Sequence, residues 1–133
     1  RQNLKAVVFK NRLFLIGDND VWRSADGLNW QLETAKMANN PVFISGYSAA
    51  VFDDKIWLVG INRNGTFQSG VLYSSDGKSW QEMNAPWTPR GAVAVWVFDN
   101  KLFMTGGKHS FVENGETKFV YSNDVWAMSK GEK

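Results

Sequence analysis

The chain of 133 residues contains no cysteine, three prolines and a single histidine, His109. Without cysteine there can be no disulfide, no thiol nucleophile and no Cys-based zinc site, and a lone histidine rules out a His/Cys metal cluster. A cysteine-free chain fits either redox compartment. No charge of one sign dominates: 15 Lys and Arg stand against 13 Asp and Glu, a net charge of +2. The charges are scattered rather than blocked, which gives no footprint for nucleic acid or an anionic membrane. The longest apolar run, residues 92–98, is far short of the roughly 20 residues a spanning helix needs, so no membrane span is expected. No targeting segment is visible, which leaves localisation open; a secreted or cell-surface setting is a guess only. Nor is there a convincing helical period, residues 32–40 (LETAKMANN) allowing one helical turn at most.

What the chain has is aromatics, 14% of its residues with seven tryptophans, and a phrase written three times. Aligned on Phe9, Phe52 and Phe98, the copies read FKNRLFLIGD, FDDKIWLVGI and FDNKLFMTGG. Each is followed by an aromatic-rich segment: DVWRSADGLNW at 20–30, GVLYSSDGKSW at 70–80 and NDVWAMSKGEK at 123–133. Trp30 and Trp80 close the first two, whereas the third reaches Lys133 one residue before the matching position. Self-similarity at such a period marks a repeat architecture.

Each copy divides into four short apolar runs. In the second they are residues 46–52, 55–59, 71–74 and 80–83, with Asp53 and Asp54 making the first turn. Asp-Asp, Asn-Arg and Asp-Asn between apolar runs are residues that connect antiparallel neighbours. The first two runs are nearly continuous in apolar character, which predicts strands buried on both faces between stacked sheets. Four antiparallel strands per unit of 40 to 50 residues is the pattern of a β-propeller blade. The expected fold is therefore all-β, with blade 1 at about 1–40, blade 2 at about 41–86 and blade 3 at about 87–133, the last lacking its outer strand.

An apolar second strand running into glycine (LFLIGD, IWLVGI, LFMTGG), then an aromatic separated from a tryptophan by six residues, resembles the kelch-repeat propellers, the family of the galactose-oxidase central domain. Tyr73 and Trp80 keep that spacing, while Arg23 and Ala127 stand at the tyrosine position of the other copies, and only the third has both glycines, Gly106 and Gly107. The segments SADGLNW and SSDGKSW resemble, one residue short, the Asp-box turns of sialidase-type propellers. That resemblance implies a structural role at the outer edge for Ser24, Asp26, Gly27 and Trp30, and for Ser74, Asp76, Gly77 and Trp80. The carboxylates would accept backbone NH groups, the glycines would take positive φ, and the two tryptophans would bury large faces between blades.

Arg1 lies eight residues before Phe9, as Arg90 does before Phe98, so the chain is expected to open at the start of a repeat. Three blades do not close a ring, since propellers have about four to eight. Either the chain is a piece of a longer one, or it self-associates as a homodimer closing a six-bladed ring.

The copies differ most between their second and third strands. Copy one crosses within residues 17–20, copy two inserts INRNGTFQSG (61–70) and copy three KHSFVENGETKF (108–119). Both insertions carry Asn-Gly, the strongest short hairpin signal. They should protrude on one side and present Arg63, Phe67, Lys108, His109, Phe111 and Lys118, a set suited to a peptide, protein or glycan. Asn64-Gly65-Thr66 is also a glycosylation sequon. Around the ring's opening, Tyr47, Trp87 and Arg90 precede the first strands and are candidates for anchoring a carboxylate or sugar face. The alternative for these is structural, Trp87 covering a blade edge and Arg90 pairing with neighbouring backbone.

No catalytic or metal constellation is present in the sequence, and no cofactor is expected; Gly106-Gly107-Lys108 lacks the spacing of a phosphate loop. Some kelch-like propellers are enzymes, including sugar epimerases and copper oxidases. A copper site of that kind needs a Tyr, His and Cys set this chain cannot assemble. The expected function is a noncatalytic propeller module binding a protein or carbohydrate through one face. The second reading is a sugar-modifying, epimerase-like enzyme active only in a closed ring, with Arg90, Tyr47 and His109 as candidates. The third is a structural fragment without independent activity.

Overall fold

The computed structural model describes residues 4–34, 37 and 44–130, and every regular element among them is a β-strand. Blade 1 consists of β1 (Lys5–Phe9), β2 (Arg12–Ile16), β3 (Val21–Ser24) and β4 (Gln31–Thr34), hydrogen-bonded in that order and antiparallel throughout. A short β5 (Ile44–Ser45) leads into blade 2, built from β6 (Ser48–Phe52), β7 (Lys55–Val59), β10 (Val71–Ser74) and β11 (Gln81–Met83). Between β7 and β10 the chain makes a hairpin of β8 (Asn62–Arg63) and β9 (Thr66–Phe67), and β5 pairs with β8. Blade 3 comprises β12 (Gly91–Phe98), β13 (Lys101–Glu113), β14 (Glu116–Tyr121) and β15 (Val125–Ser129). There β13 pairs with β12 on one side, and on the other with β15 along its first half and β14 along its second. A fourth, outer strand of blade 3 does not occur among the described residues. Residues 32–34 lie in β4; the rest of the predicted helical turn, Met37 aside, falls outside the described residues, as do Arg1 and Lys133.

Two of the three turns fall on the expected residues, Asp53–Asp54 and Asp99–Asn100, whereas the first falls on Lys10–Asn11 instead of Asn11–Arg12, because Arg12 already opens β2. Lys10–Asn11, Asp53–Asp54 and Asp99–Asn100 each hold two successive residues at φ between 49° and 63°. A turn with both central residues left-handed matches the twist of the flanking strands, and among non-glycine residues Asn and Asp tolerate that region best.

The core lies in two seams between blades, and strand alternation decides which side chain enters which seam. Along β7, Ile56 and Leu58 point to blade 1, while Trp57 and Val59 point to blade 3. The first seam sets Phe9, Phe14, Ile16 and Val21 of blade 1 against Ile56, Leu58 and Leu72 of blade 2. The second sets Phe52, Trp57, Val59 and Val71 of blade 2 against Val93, Leu102 and Met104 of blade 3. Continuous burial therefore holds for β7 alone; the first strands of blades 1 and 3 bury one face, because a neighbouring sheet covers only one side of each. The innermost strands also join directly, Ser48 Oγ donating to the Val93 carbonyl at 2.6 Å.

Blade 2's outer turn shows how neighbours interlock. Backbone NH groups of Lys78 and Ser79 each donate to Asp76 Oδ1 at 2.8 Å, and the Gly77 NH donates to Ser74 Oγ at 2.7 Å. Gly77 has φ +80°, and a Cβ there would lie 2.3 Å from Cε2 of Phe14, so the turn sits directly on a ring of blade 1. Trp80 packs into the same seam and donates its indole NH to the Gly77 carbonyl at 3.1 Å. Blade 1 repeats the turn, with Leu28 and Asn29 NH groups on Asp26 Oδ1 at 2.8 Å and the Gly27 NH on Ser24 Oγ. These donors hold the Asp26 carboxyl well below its ordinary range, and those on Asp76 outweigh an opposing effect of burial. Trp30 departs from expectation: it is 37% exposed, because no described sheet covers the face of blade 1 that corresponds to the face of blade 2 meeting blade 1.

Candidate functional site

Both Asn-Gly hairpins form. Asn64 and Gly65 have φ of 53° and 91°, and Asn114 and Gly115 have 53° and 77°. The third-copy hairpin is longer than the sequence suggested, because β13 runs straight through Gly106 and Gly107 instead of ending there. Both glycines adopt positive φ, and a Cβ on Gly107 would meet Val93 Cγ1 at 2.7 Å and the Gly91 carbonyl at 3.0 Å. The pair lets one strand leave the blade and continue outward as the first arm of a hairpin.

The connections preceding the first strands and the hairpins meet on one side. The Arg90 NH donates to the Gln68 carbonyl at 3.3 Å, just beyond the β8–β9 hairpin. Phe67 lies on Gly91, where a Cβ would come within 2.4 Å of its ring. Arg90 is 2% exposed and is the joint of this region. Its guanidinium donates to both oxygens of Asp124, to the Gly106 carbonyl at 3.3 Å, and to the carbonyl and hydroxyl of Thr88. Asp124 also accepts the Trp126 indole NH at 2.8 Å. The hydrogen bonds from Arg90 first, then Trp126, hold its carboxyl down to about 2. Asp124 was not singled out from sequence, although a signal exists: NDVW occurs at 19–22 and 123–126, and Trp22 likewise donates to Asp20 at 3.1 Å.

The seven candidates are not gathered into one pocket. Tyr47 is 1% exposed, in the seam between blades 1 and 2, its hydroxyl directed at the Ile16 and Gly17 carbonyls at 3.0 and 2.7 Å. Burial, with the charges of Asp18 and Asp20, raises its pKa far above the ordinary phenol value. It is a core residue instead of a lining of the opening: the position five residues before the aligned phenylalanine faces the preceding blade, as Val93, inside β12, does one repeat later. Arg63 pairs with Glu82 at 3.2 Å. Trp87 packs near Trp126, centroids 6.0 Å apart, and with Trp57 lines an apolar cavity of about 200 Å³ between blades 2 and 3. Trp87 and Arg90 thus make their contacts within the scaffold, Trp87 beside this cavity and Arg90 chiefly with the Asp124 side chain. His109 sits on β13 with Nδ1 enclosed and without a hydrogen-bond partner. Tyr47, Arg90 and His109, the acid–base set of an epimerase-like reading, thus occupy a seam, the foot of blade 3 and the hairpin, respectively.

The β13–β14 hairpin is accessible. Phe111, Val112, Phe119, Val120 and Tyr121 are 38%, 72%, 46%, 41% and 74% exposed. Lys108 Nζ lies over the Phe119 ring, 4.9 Å from its centroid, and Phe111 pairs with Lys118 across the hairpin. Both arms leave the blade as a two-stranded ribbon, so its edge carries unpaired backbone groups beside exposed rings.

No family model matches the chain. Among curated proteins it is similar to the human Kelch repeat and BTB domain-containing protein 13, 28% identical over 98 residues, which are 71% of this chain and 19% of that protein. The chain thus matches a small part of that relative's length. The likeness, together with four-stranded antiparallel blades, supports a kelch-like repeat and nothing finer.

Proposed function

We propose that the chain is a noncatalytic kelch-like propeller module that binds a protein partner through the β13–β14 hairpin. The observation that carries this reading is the run of five large apolar side chains, each at least 38% exposed, on one projecting ribbon. Isolated exposed apolar residues are ordinary, but here Val112, Phe119 and Tyr121 share one face of a raised ribbon while Phe111 and Val120 lie on the other, a density that supports an interaction surface. Phe111, Phe119 and Tyr121 supply anchors of the kind that dominate interface energetics, and Lys108 and Lys118 a cationic rim. The free edge of β14 supplies main-chain groups to an extended segment of the partner, which would add as a further strand. Among the sequence candidates, Phe111 is the residue that keeps a direct binding role; Phe67 and Arg90 brace the base on which the hairpin stands, and Arg63 pairs with Glu82 within blade 2.

Replacing residues 109–120 by a two-residue Asn-Gly turn tests this, because β12, β15 and both seams are untouched. The shortened chain is expected to keep its sheet spectrum and unfolding midpoint but lose the partners recovered with the full chain in an interaction screen. Equal recovery by both chains would refute the hairpin. Glycan binding on an array would instead favour the carbohydrate reading. Turnover of a sugar, abolished in Arg90→Ala, would favour the enzymatic one.

A further inference from the structure

An Asn-Gly turn carries a reaction of its own. The glycine's backbone nitrogen, once it has given up its proton, can attack the carbonyl carbon of the asparagine side chain. An N–C bond forms, the side-chain amide takes up a proton and leaves as ammonia, and a succinimide ring remains. Water then opens the ring at either carbonyl, giving aspartate or isoaspartate without oxidant or catalyst. Glycine permits this because no Cβ stands in the path and its backbone turns freely. An added Cβ would meet nothing within 4 Å at Gly65 or at Gly115, so space does not separate the two turns. Nor does backbone form, since Asn64 and Asn114 both have φ 53°.

Their surroundings do separate them. The Gly65 NH donates to Asn62 Oδ1 at 2.8 Å, which holds the proton the nitrogen must lose and fixes the nitrogen in place. Two residues before Asn114 stands Val112, whose side chain offers no acceptor to the Gly115 NH. Anchorage differs as well. The β8–β9 hairpin pairs with β5, sets Phe67 on Gly91 and ties Arg63 to Glu82. Among the described residues β14 pairs with β13 alone, and positions 110–121 are all exposed. Glu113 and Glu116 face each other directly across the ladder beside the turn, a like-charge pair that disfavours its closure. Ring formation requires the turn to open, and opening costs least where the backbone is least braced.

We infer that Asn114 is a self-modification site, which deamidates through a succinimide in the folded chain, whereas Asn64 is protected. The products change the tip in two ways. Aspartate at this position adds a third carboxylate to Glu113 and Glu116. Isoaspartate puts an extra carbon into the main chain, and a two-residue turn cannot take it without losing the register of its strands. Either product loosens the ribbon from its tip, so that Phe111 and Phe119 lose their fixed spacing. The site does not depend on the hairpin as a partner surface; where both hold, binding declines as the chain ages.

Peptide mapping by mass spectrometry, with enzymatic labelling of isoaspartate, is the test. The full chain is held at neutral pH and physiological temperature, and both asparagines are followed through time. Asn114 is expected to convert first, at least about fivefold faster than Asn64, the factor that one net hydrogen bond contributes. Exchanging the acceptor should move both rates: Asn62→Val speeds conversion of Asn64, and Val112→Asn slows that of Asn114. Asn62→Asp keeps an acceptor and should leave Asn64 protected, which separates loss of the hydrogen bond from loss of the hairpin. Conversion of Asn64 as fast as that of Asn114 overturns the inference. So do rates that neither exchange moves, or an Asn114 that stays intact in the folded chain while it converts in urea.

Discussion

Two residues in the third blade carry most of what is particular to it. Ala92 has φ +58°, at the position where blade 2 has Gly46 at φ +69°. The kink that feeds a first strand into its blade belongs to the repeat, and in blade 3 an L-residue takes it at a cost of roughly 1–2 kcal/mol. Ala92→Gly relieves that cost and returns part of it as unfolded-chain entropy, so a net stabilisation of about 0.5–1 kcal/mol is expected in urea denaturation. Asp124 is the other. Its carboxyl is held down from 3.8 to about 2, so the folded state binds its proton only at lower pH than the unfolded state. The stabilisation is complete above 3.8 and is lost as the pH falls toward about 2. Asp26 and Asp76 are lowered as well and lose their contributions in the same direction. Asp124→Asn should therefore flatten the acid limb of stability against pH without abolishing it, as followed by thermal unfolding.

At the scale of elements, the outer turns hold blades together as much as they finish hairpins. Gly27 and Gly77 share φ near +80° and the same hydrogen-bonded loop, yet an added Cβ meets only Leu13 at 3.4 Å in the first and the Phe14 ring at 2.3 Å in the second. Both alanine variants incur the backbone strain, about 1–2 kcal/mol. Gly77→Ala must also push blade 1 aside, so it should cost a further 1–3 kcal/mol, the range typical of overpacking. Denaturant titration of the two variants in monomeric protein reads the difference as the tightness of one seam. This pairing was half legible in the sequence. SADGLNW and SSDGKSW announced the same turn, and β7 appeared with its observed bounds, because short-range chemistry sets both. The sequence did not say that β13 would pass through Gly106 and Gly107, or that β5 would pair with β8, since those depend on which backbone lies alongside. Tyr47 was misplaced for a related cause: an aromatic ahead of a strand reads the same whether it lines an opening or enters a seam.

For the whole molecule, blade 2 is the centre of stability because both of its faces are covered. Opening either end costs one seam, while exposing β7 costs two. Hydrogen exchange should rank accordingly, with the slowest amides in β6, β7 and β10, intermediate ones in β2 and β13 up to Thr105, and the fastest in β14. Equal protection in all three blades would show that the seams do not act separately. The resemblance read from three aligned phrases reached the architecture correctly because it rested on recurrence. The site was less legible, since Arg63, Trp87 and Arg90 are of types that bind ligands and of types that brace a scaffold, and only their contacts separate the two.

Six of the seven tryptophans fall out by joint. Trp57, Trp87 and Trp126 surround the second seam and Trp80 belongs to the first, while Trp30 and Trp96 stand 37% and 40% exposed at the outer face of blade 1 and on that of blade 3. The chain is thus its own optical gauge. Buried indoles will report by a red shift when a seam loosens, and the outward pair by lost sensitivity to a soluble quencher when anything comes to rest on the ends. Parting and joining can be followed in the same cuvette, without a label.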